Sequence, residues 1–184
     1  MIEVERKFRL SEQQKRTVEN KLRERNSEAV SVRQSDKVFL RGIDSFAGFT
    51  QGEPIMRLRT ENNITTLTYK RRINDAGDSV EHELVIGNAD TMQAILVEMN
   101  YRLVTKVEKD RLEVKKDLMT LALDAVDDLG SFLEIEILAE DAENVAELDQ
   151  QIMVVAKEFG LTAVDIEPKK YDQMIAALQS EGSQ

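Results

Sequence analysis

Ile2-Glu3-Val4-Glu5-Arg6-Lys7-Phe8 is the stretch from which the rest of this chain is read. Side chains two apart in a strand share a face, so Glu3, Glu5 and Lys7 line up on one side of an extended segment. Near the other end Glu134 and Glu136 alternate with Leu133, Ile135 and Ile137, and between the two lie basic pairs at the same spacing, Arg57 with Arg59 and Lys109 with Arg111. Acidic pairs and basic pairs on separate strands suggest a site that holds divalent cations and a polyanion together. The plainer reading of any one pair is the solvated face of an antiparallel sheet. Segregation of sign over four segments argues for the site.

The 184 residues suffice for one domain, residues 1–184, with a proper core. The net charge of −10 argues against a non-specific nucleic-acid or anionic-membrane binder, though a small polyanion can still be held by basic groups concentrated in one pocket. There is no cysteine, which excludes disulfides and thiolate sites, and the lone His82 makes a Ser-His-Asp triad or a histidine-rich zinc site an unlikely choice. His82 reads as structural. No apolar run has the length to cross a bilayer and the N-terminus lacks a signal-peptide pattern, so a cytoplasmic protein is expected. Chemistry is left to carboxylates, Lys, Arg and oxygen-ligated metals.

Ser11 with Gln14 forms a capping-box pattern, predicting a helix to about Arg25 after a strand over 2–9. Residues 29–41 read as extended and the glycine-bearing 42–53 as a loop, the stretch most prone to disorder. Strands are expected over 54–61, 64–73 and 79–86, with hairpin turns at 61–63 and 74–78. Asn88 caps a helix whose Met92, Ile95, Leu96 and Met99 fall on one face. Strands near 101–116, 119–127 and 131–138 follow, with Asp127 and Asp128 in a turn. Two helices close the chain, one with Val145, Leu148, Ile152, Val155 and Phe159 at helical spacing before Gly160, the other starting at Pro168 and burying Tyr171, Ile175 and Leu178; residues 180–184 read as a frayed tail. About eight strands with few helices indicate an antiparallel α+β domain. If the sheet curls, its apolar faces pack on the helices and its charged faces line a wet interior.

Glu3-Val-Glu-Arg-Lys7 resembles the Glu-x-Glu-x-Lys signature of the CYTH, or triphosphate tunnel, metalloenzymes. The resemblance continues in order through Asp36-Lys-Val-Phe39, Arg57-Leu-Arg59, Leu67-Thr-Tyr-Lys70, Val107-Glu-Lys-Asp-Arg111 and Glu134-Ile-Glu136. Residues 123–136 and Pro168-Lys-Lys-Tyr171 are most similar to the class IV adenylyl cyclases. Arg71-Arg72 and the stretch 42–53 depart from the family pattern. The resemblance implies an antiparallel eight-stranded tunnel that binds triphosphate compounds with Mg²⁺ or Mn²⁺.

On that resemblance Glu3, Glu5, Glu134 and Glu136 are expected as metal ligands, and Arg57, Arg59, Lys70, Lys109 and Arg111 as phosphate binders. Lys7, Lys70 and Asp124 are the expected catalytic residues, Asp124 by accepting a hydrogen bond from an arginine or orienting metal-bound water. Glu81 and Glu83 share another face and either join the site or pair with its basic residues. Of Arg71 and Arg72, at most one can join Lys70 on its side. The activity implied is conversion of ATP, the first choice of substrate, to cyclic AMP and pyrophosphate. Two alternatives stand beside it: a triphosphatase acting on thiamine triphosphate or inorganic tripolyphosphate, and a non-catalytic nucleotide- or polyphosphate-binding module. A homodimer is common in the cyclase group.

Overall fold

A computed structural model describes residues 2–25, 29–50, 52–73, 79–139 and 145–181. The alternating N-terminal stretch forms β1 (Ile2–Leu10). Ser11 ends it: the Ser11 N–H donates to Gln14 Oε1 at 2.9 Å and the Gln14 N–H donates to the Ser11 hydroxyl at 3.3 Å, the reciprocal cap that opens α1 (Glu12–Arg25). Then follow β2 (Val30–Arg41), β3 (Pro54–Glu61), β4 (Ile64–Arg72), β5 (Ser79–Ile86) and α2 (Ala89–Glu98). β6 (Tyr101–Lys116), β7 (Met119–Val126), β8 (Gly130–Ala139), α3 (Val145–Glu158) and α4 (Tyr171–Glu181) complete the order.

The strands close into an antiparallel barrel in the order β1-β5-β4-β3-β2-β6-β7-β8. β1 pairs with β8 from Ile2↔Ala139 to Leu10↔Ser131, whereas its pairing with β5 is confined to Ile2↔Val80 and Glu3↔Ser79. Turn chemistry sets the registers. Asn62 and Asn63 both take positive φ, 49° and 64°, the twist that a two-residue hairpin between right-twisted strands requires. Asp128, at φ 63°, bends β7 into β8. The turn expected at 74–78 lies outside the described residues, as do residues 182–184 of the tail.

The core sits mostly outside the barrel. Val4 and Phe8 of β1, Leu112 and Val114 of β6, Leu121 and Leu123 of β7 and Leu133, Ile135 and Ile137 of β8 pack outward against Val18 and Leu22 of α1 and Ile152 and Ala156 of α3. A second outer cluster joins Phe39, Leu58 and Tyr101 to Leu96 of α2. At one end of the barrel, Tyr171, Met174 and Ile175 of α4 pack on Val107, Val126 and Phe132. β1, β6, β7 and β8 therefore spend their outer apolar faces on helices, which leaves the charged faces for the interior.

Several expectations need correction. α4 begins at Tyr171, not Pro168, because Ile166 bridges to Phe8 and the Glu167 N–H donates to the Lys7 carbonyl at 2.8 Å, holding the chain extended along β1. Within α4, Tyr171 and Ile175 are buried as expected, but Leu178 is exposed and Met174 is buried instead. In α2, Leu96 is buried but Ile95 and Met99 are exposed, since a short helix lying on a curved sheet covers one narrow row. The loop 42–53 contains one 3₁₀ turn, Phe46–Gly48, where Phe46 and Phe49 stack edge to face at 5.8 Å.

Candidate active site

The inward faces enclose a cavity of about 580 Å³. Strand order divides most of its lining by sign, with Lys7 of β1, Asp36 of β2 and Glu113 of β6 on the opposite side from their kind. β8, β1 and β5 are neighbours and contribute Glu134, Glu136, Glu3, Glu5, Glu81 and Glu83; β4, β3, β2 and β6 are neighbours and contribute Lys70, Arg72, Arg57, Arg59, Lys109 and Arg111. Period-two alternation puts each pair on the inner face, and the registers Lys7↔Glu134 and Glu5↔Glu136 set β1 and β8 level.

All four expected metal ligands line this space. Each of three is engaged by a protein cation: Lys70 Nζ donates to Glu3 at 3.2 Å, Lys170 Nζ donates to Glu5 at 2.7 Å, and Arg111 donates to Glu134. Among the described residues no three Asp, Glu or His side chains gather into a ready-made ligand set. The donors nevertheless suit a hard cation. Burial pushes the Glu3 carboxyl up, against Lys70 and aided by Glu81, Glu5 and Glu136. Burial and then Glu5, Glu134 and Glu81 push Glu136 up to about 7. Oxygen donors crowded until they repel one another are relieved by a divalent cation.

The basic wall is built on two carboxylates. Arg59 grips Asp36 through two bonds of 2.7 Å. Arg111 donates to both Asp124 oxygens, at 2.7 and 2.6 Å, and Lys109 Nζ donates to Asp124 at 2.8 Å. Asp124 is fully buried and lies behind the lining, so it orients Lys109 and Arg111 and does not reach the cavity. Of the two ways in which Asp124 was expected to act, the geometry shows the hydrogen bond accepted from an arginine. Burial would raise the Asp124 carboxyl, but Lys109 and Arg111 outweigh it and hold it far below its usual value. Burial is the main cause that brings the Lys109 ammonium down to about 8. Arg57 is looser, with Thr68 Oγ1 at 3.3 Å and Glu83 and Glu81 at 3.5 and 3.8 Å.

Lys70, expected on phosphate, stands among carboxylates: Glu3, Glu81 and, at 3.9 Å, Glu5. Glu81 and Glu83 thus do both things left open for them, lining the cavity and pairing with basic residues. Lys7 is buried, its ammonium lacks a hydrogen-bond partner among the described residues, and burial pushes it down. Arg72, not Arg71, shares the inner face with Lys70. His82 is exposed on the outer face beside Tyr69, ring centroids 6.0 Å apart.

Asp36 and Lys170 have site roles that the sequence reading did not assign, although both lie within motifs it quoted. The signal for Asp36 was its parity with Val38 on β2. For Lys170 there was no periodic signal, since it precedes a helix and reaches Glu5 only through the fold.

A protein from Methanocaldococcus jannaschii, a candidate adenylate cyclase by name, is 25% identical over 173 residues, covering 93% of this chain and 97% of its own. A conserved protein of Pyrococcus furiosus has a solved structure that superposes with a TM-score of 0.77 at 25% identity, covering 94% of this chain and 99% of that one. A more distant structure, a candidate adenylyl cyclase from Hippeastrum with a dominant triphosphatase activity, shares the fold at a TM-score of 0.55 and 17% identity, covering 98% of this chain and 95% of that one. The family model for the CYTH domain matches residues 1–171, so the barrel and its divided interior are those of a CYTH protein, and the chain belongs to that family.

Proposed function

We propose that this protein is a metal-dependent adenylyl cyclase of the class IV type, converting ATP to cyclic AMP and pyrophosphate inside the barrel. The observation that carries the reading is a single cavity with an acidic wall and a basic wall. CYTH proteins act on triphosphate compounds with a divalent metal, and the Methanocaldococcus relative favours the cyclase within that class. A metal triphosphate carries both signs. Its entry exchanges the internal pairs for carboxylate–cation and guanidinium–phosphate pairs, so little ion pairing is lost. The cavity volume falls within the roughly 300–1,000 Å³ of sites for drug-sized ligands, which leaves room for a nucleoside beyond the phosphates.

Glu3, Glu5, Glu134 and Glu136 would hold Mg²⁺ or Mn²⁺. When bound, the metal supplies neutralisation and polarisation of phosphate oxygens. Arg57, Arg59, Lys109 and Arg111 bind the phosphate chain, Arg by planar paired contacts and Lys as a compact charge. Asp36 and Asp124 fix Arg59 and Arg111 in place beforehand, so their charges need little rearrangement as the reaction proceeds. The ribose 3′-oxygen bonds to the α-phosphorus, its proton is released, and the bond from that phosphorus to the pyrophosphate oxygen breaks. Lys7 and the arginines stabilise the charge gathering on pyrophosphate.

Hydrolysis of a triphosphate would use the same residues with water in place of the 3′-hydroxyl, and the activity of the Hippeastrum protein favours keeping this second reading. Product analysis with ATP and Mn²⁺ decides between them. Cyclic AMP and pyrophosphate are expected from ATP, with no cyclic product from 3′-deoxy-ATP. Release of inorganic phosphate from tripolyphosphate much faster than cyclic AMP from ATP would overturn the cyclase and leave the metal and phosphate assignments intact.

A further inference from the structure

Lys7 differs from five of the other interior cations. Arg57, Arg59, Lys70, Lys109 and Arg111 each have a carboxylate oxygen within 3.5 Å, whereas the buried Lys7 ammonium has no hydrogen-bond partner among the described residues. What it has is a ring. Lys7 Nζ stands 4.1 Å from the centroid of Tyr171, and Lys109 Nζ stands 5.0 Å from the same centroid. Phe132, fully buried, braces that ring edge-on at 5.0 Å. Tyr171 lines the cavity and is itself 8% exposed.

We propose that Tyr171 is a positioning residue for anion binding, its ring fixing the Lys7 ammonium without neutralising it, beside the Lys109 ammonium that Asp124 holds, where α4 packs on the barrel. This rests on the triphosphate reading above. A carboxylate in place of the ring would hold Lys7 equally well but would cancel its charge. An aromatic face stabilises a cation through the ring quadrupole and accepts no conventional N–H bond from it, so the donors of Lys7 stay directed to an incoming oxygen. The fold explains how a C-terminal residue comes to do this. The extended segment through Glu167 runs along β1, and the entry into α4 then carries Lys170, just before the helix, to Glu5 and Tyr171, its first residue, to Lys7, so both residues enter the cavity from one corner.

Two measurements test this separately from the triphosphate reading. The first is thermal unfolding without any added anion. Tyr171→Phe deletes a buried hydroxyl that has no hydrogen-bond partner among the described residues and should melt at or above the wild type. Tyr171→Leu should melt lower by several degrees, and adding Lys7→Met to it should recover stability, because no ammonium is then left against an aliphatic side chain. If Tyr171→Leu fails to fold, the paired variant must fold; failure of both, or simple additivity of the two changes, overturns the proposal. The second is calorimetric titration with tripolyphosphate and Mg²⁺. Tyr171→Phe should bind within about threefold of wild type and Tyr171→Leu about tenfold or more weaker, the loss expected for cation–π contacts at a desolvated site. Equal binding by Tyr171→Leu and wild type would overturn the positioning role. A wild type indifferent to tripolyphosphate would overturn the phosphate reading, while the melts still decide whether the ring holds Lys7.

Discussion

Asp36 and Asp124 are the two carboxylates on which the basic wall depends, and their burial makes each a measurable quantity. Removing one partner of a buried ionic cluster leaves the other charges uncompensated, which typically costs about 3–5 kcal/mol. Asp124→Asn leaves Lys109 and Arg111 facing each other with one polar amide between them, and a loss of that order is expected in urea denaturation. For Asp36 the pH dependence can be signed. Burial raises its carboxyl, but the hydrogen bonds and charge of Arg59, with Arg57 and Lys109, outweigh it and hold the group at about 2 against an ordinary 3.8. A depressed carboxyl binds its proton less readily when folded, so its stabilisation is complete above the unfolded value and disappears as pH falls through the folded one. The difference amounts to about 2–3 kcal/mol, lost between about pH 4 and about pH 2. The stability gap between wild type and Asp36→Asn should therefore narrow across that window; a gap constant with pH would show that Asp36 acts by packing alone.

The helices differ in what they cover, and this sets the cost of mutating them. Leu22 of α1 is fully buried among Val18, Phe8 and the outward leucines of β6 and β7, so Leu22→Ala should cost about 2–5 kcal/mol. Ile95 of α2 sits on the same kind of apolar row in the sequence but is exposed, and Ile95→Ala should cost about 0.5 kcal/mol or less. Chemical denaturation of the two variants compares them directly. The contrast also marks what the sequence could convey. Strand boundaries were legible because β1, β3 and β8 alternate apolar and charged residues over part of their length, and turn residues bound the others. The faces were legible for the same reason: Glu3, Arg57, Lys109 and Glu134 all point inward as their parity required. Depth was not. Asp124 has the parity of a cavity residue, yet Arg111 and Lys109 close over it, a fact that depends on register between β6 and β7. Lys170 was illegible because a hydrogen bond between Glu167 and Lys7, residues far apart in sequence, decides where the last helix begins.

A chain of net charge −10 that binds a polyanion poses a problem of long-range repulsion, and strand order answers it. With β8, β1 and β5 adjacent and β4, β3, β2 and β6 adjacent, the field inside the barrel runs from a mainly acidic wall to a mainly basic one. An anion entering alone gains the basic wall and suffers the acidic one. An anion entering with a divalent cation satisfies both. Tripolyphosphate should therefore stabilise the folded protein far more with Mg²⁺ than with a chelator present, by about 2.7 kcal/mol at a hundred times its dissociation constant. Arg57→Ala should abolish most of that stabilisation while leaving the unliganded melting temperature nearly unchanged, because Arg57 is held more loosely than Arg59, Lys109 or Arg111 and its loss leaves the carboxylates it meets with another cation nearby. Glu83 is the exception, but it is exposed enough for water to screen it. Differential scanning fluorimetry of wild type and Arg57→Ala, each with tripolyphosphate, with Mg²⁺ and with both, separates the terms. Equal stabilisation by tripolyphosphate with and without Mg²⁺ would mean that the acidic wall plays no part in binding, and that the two walls do not act as one site.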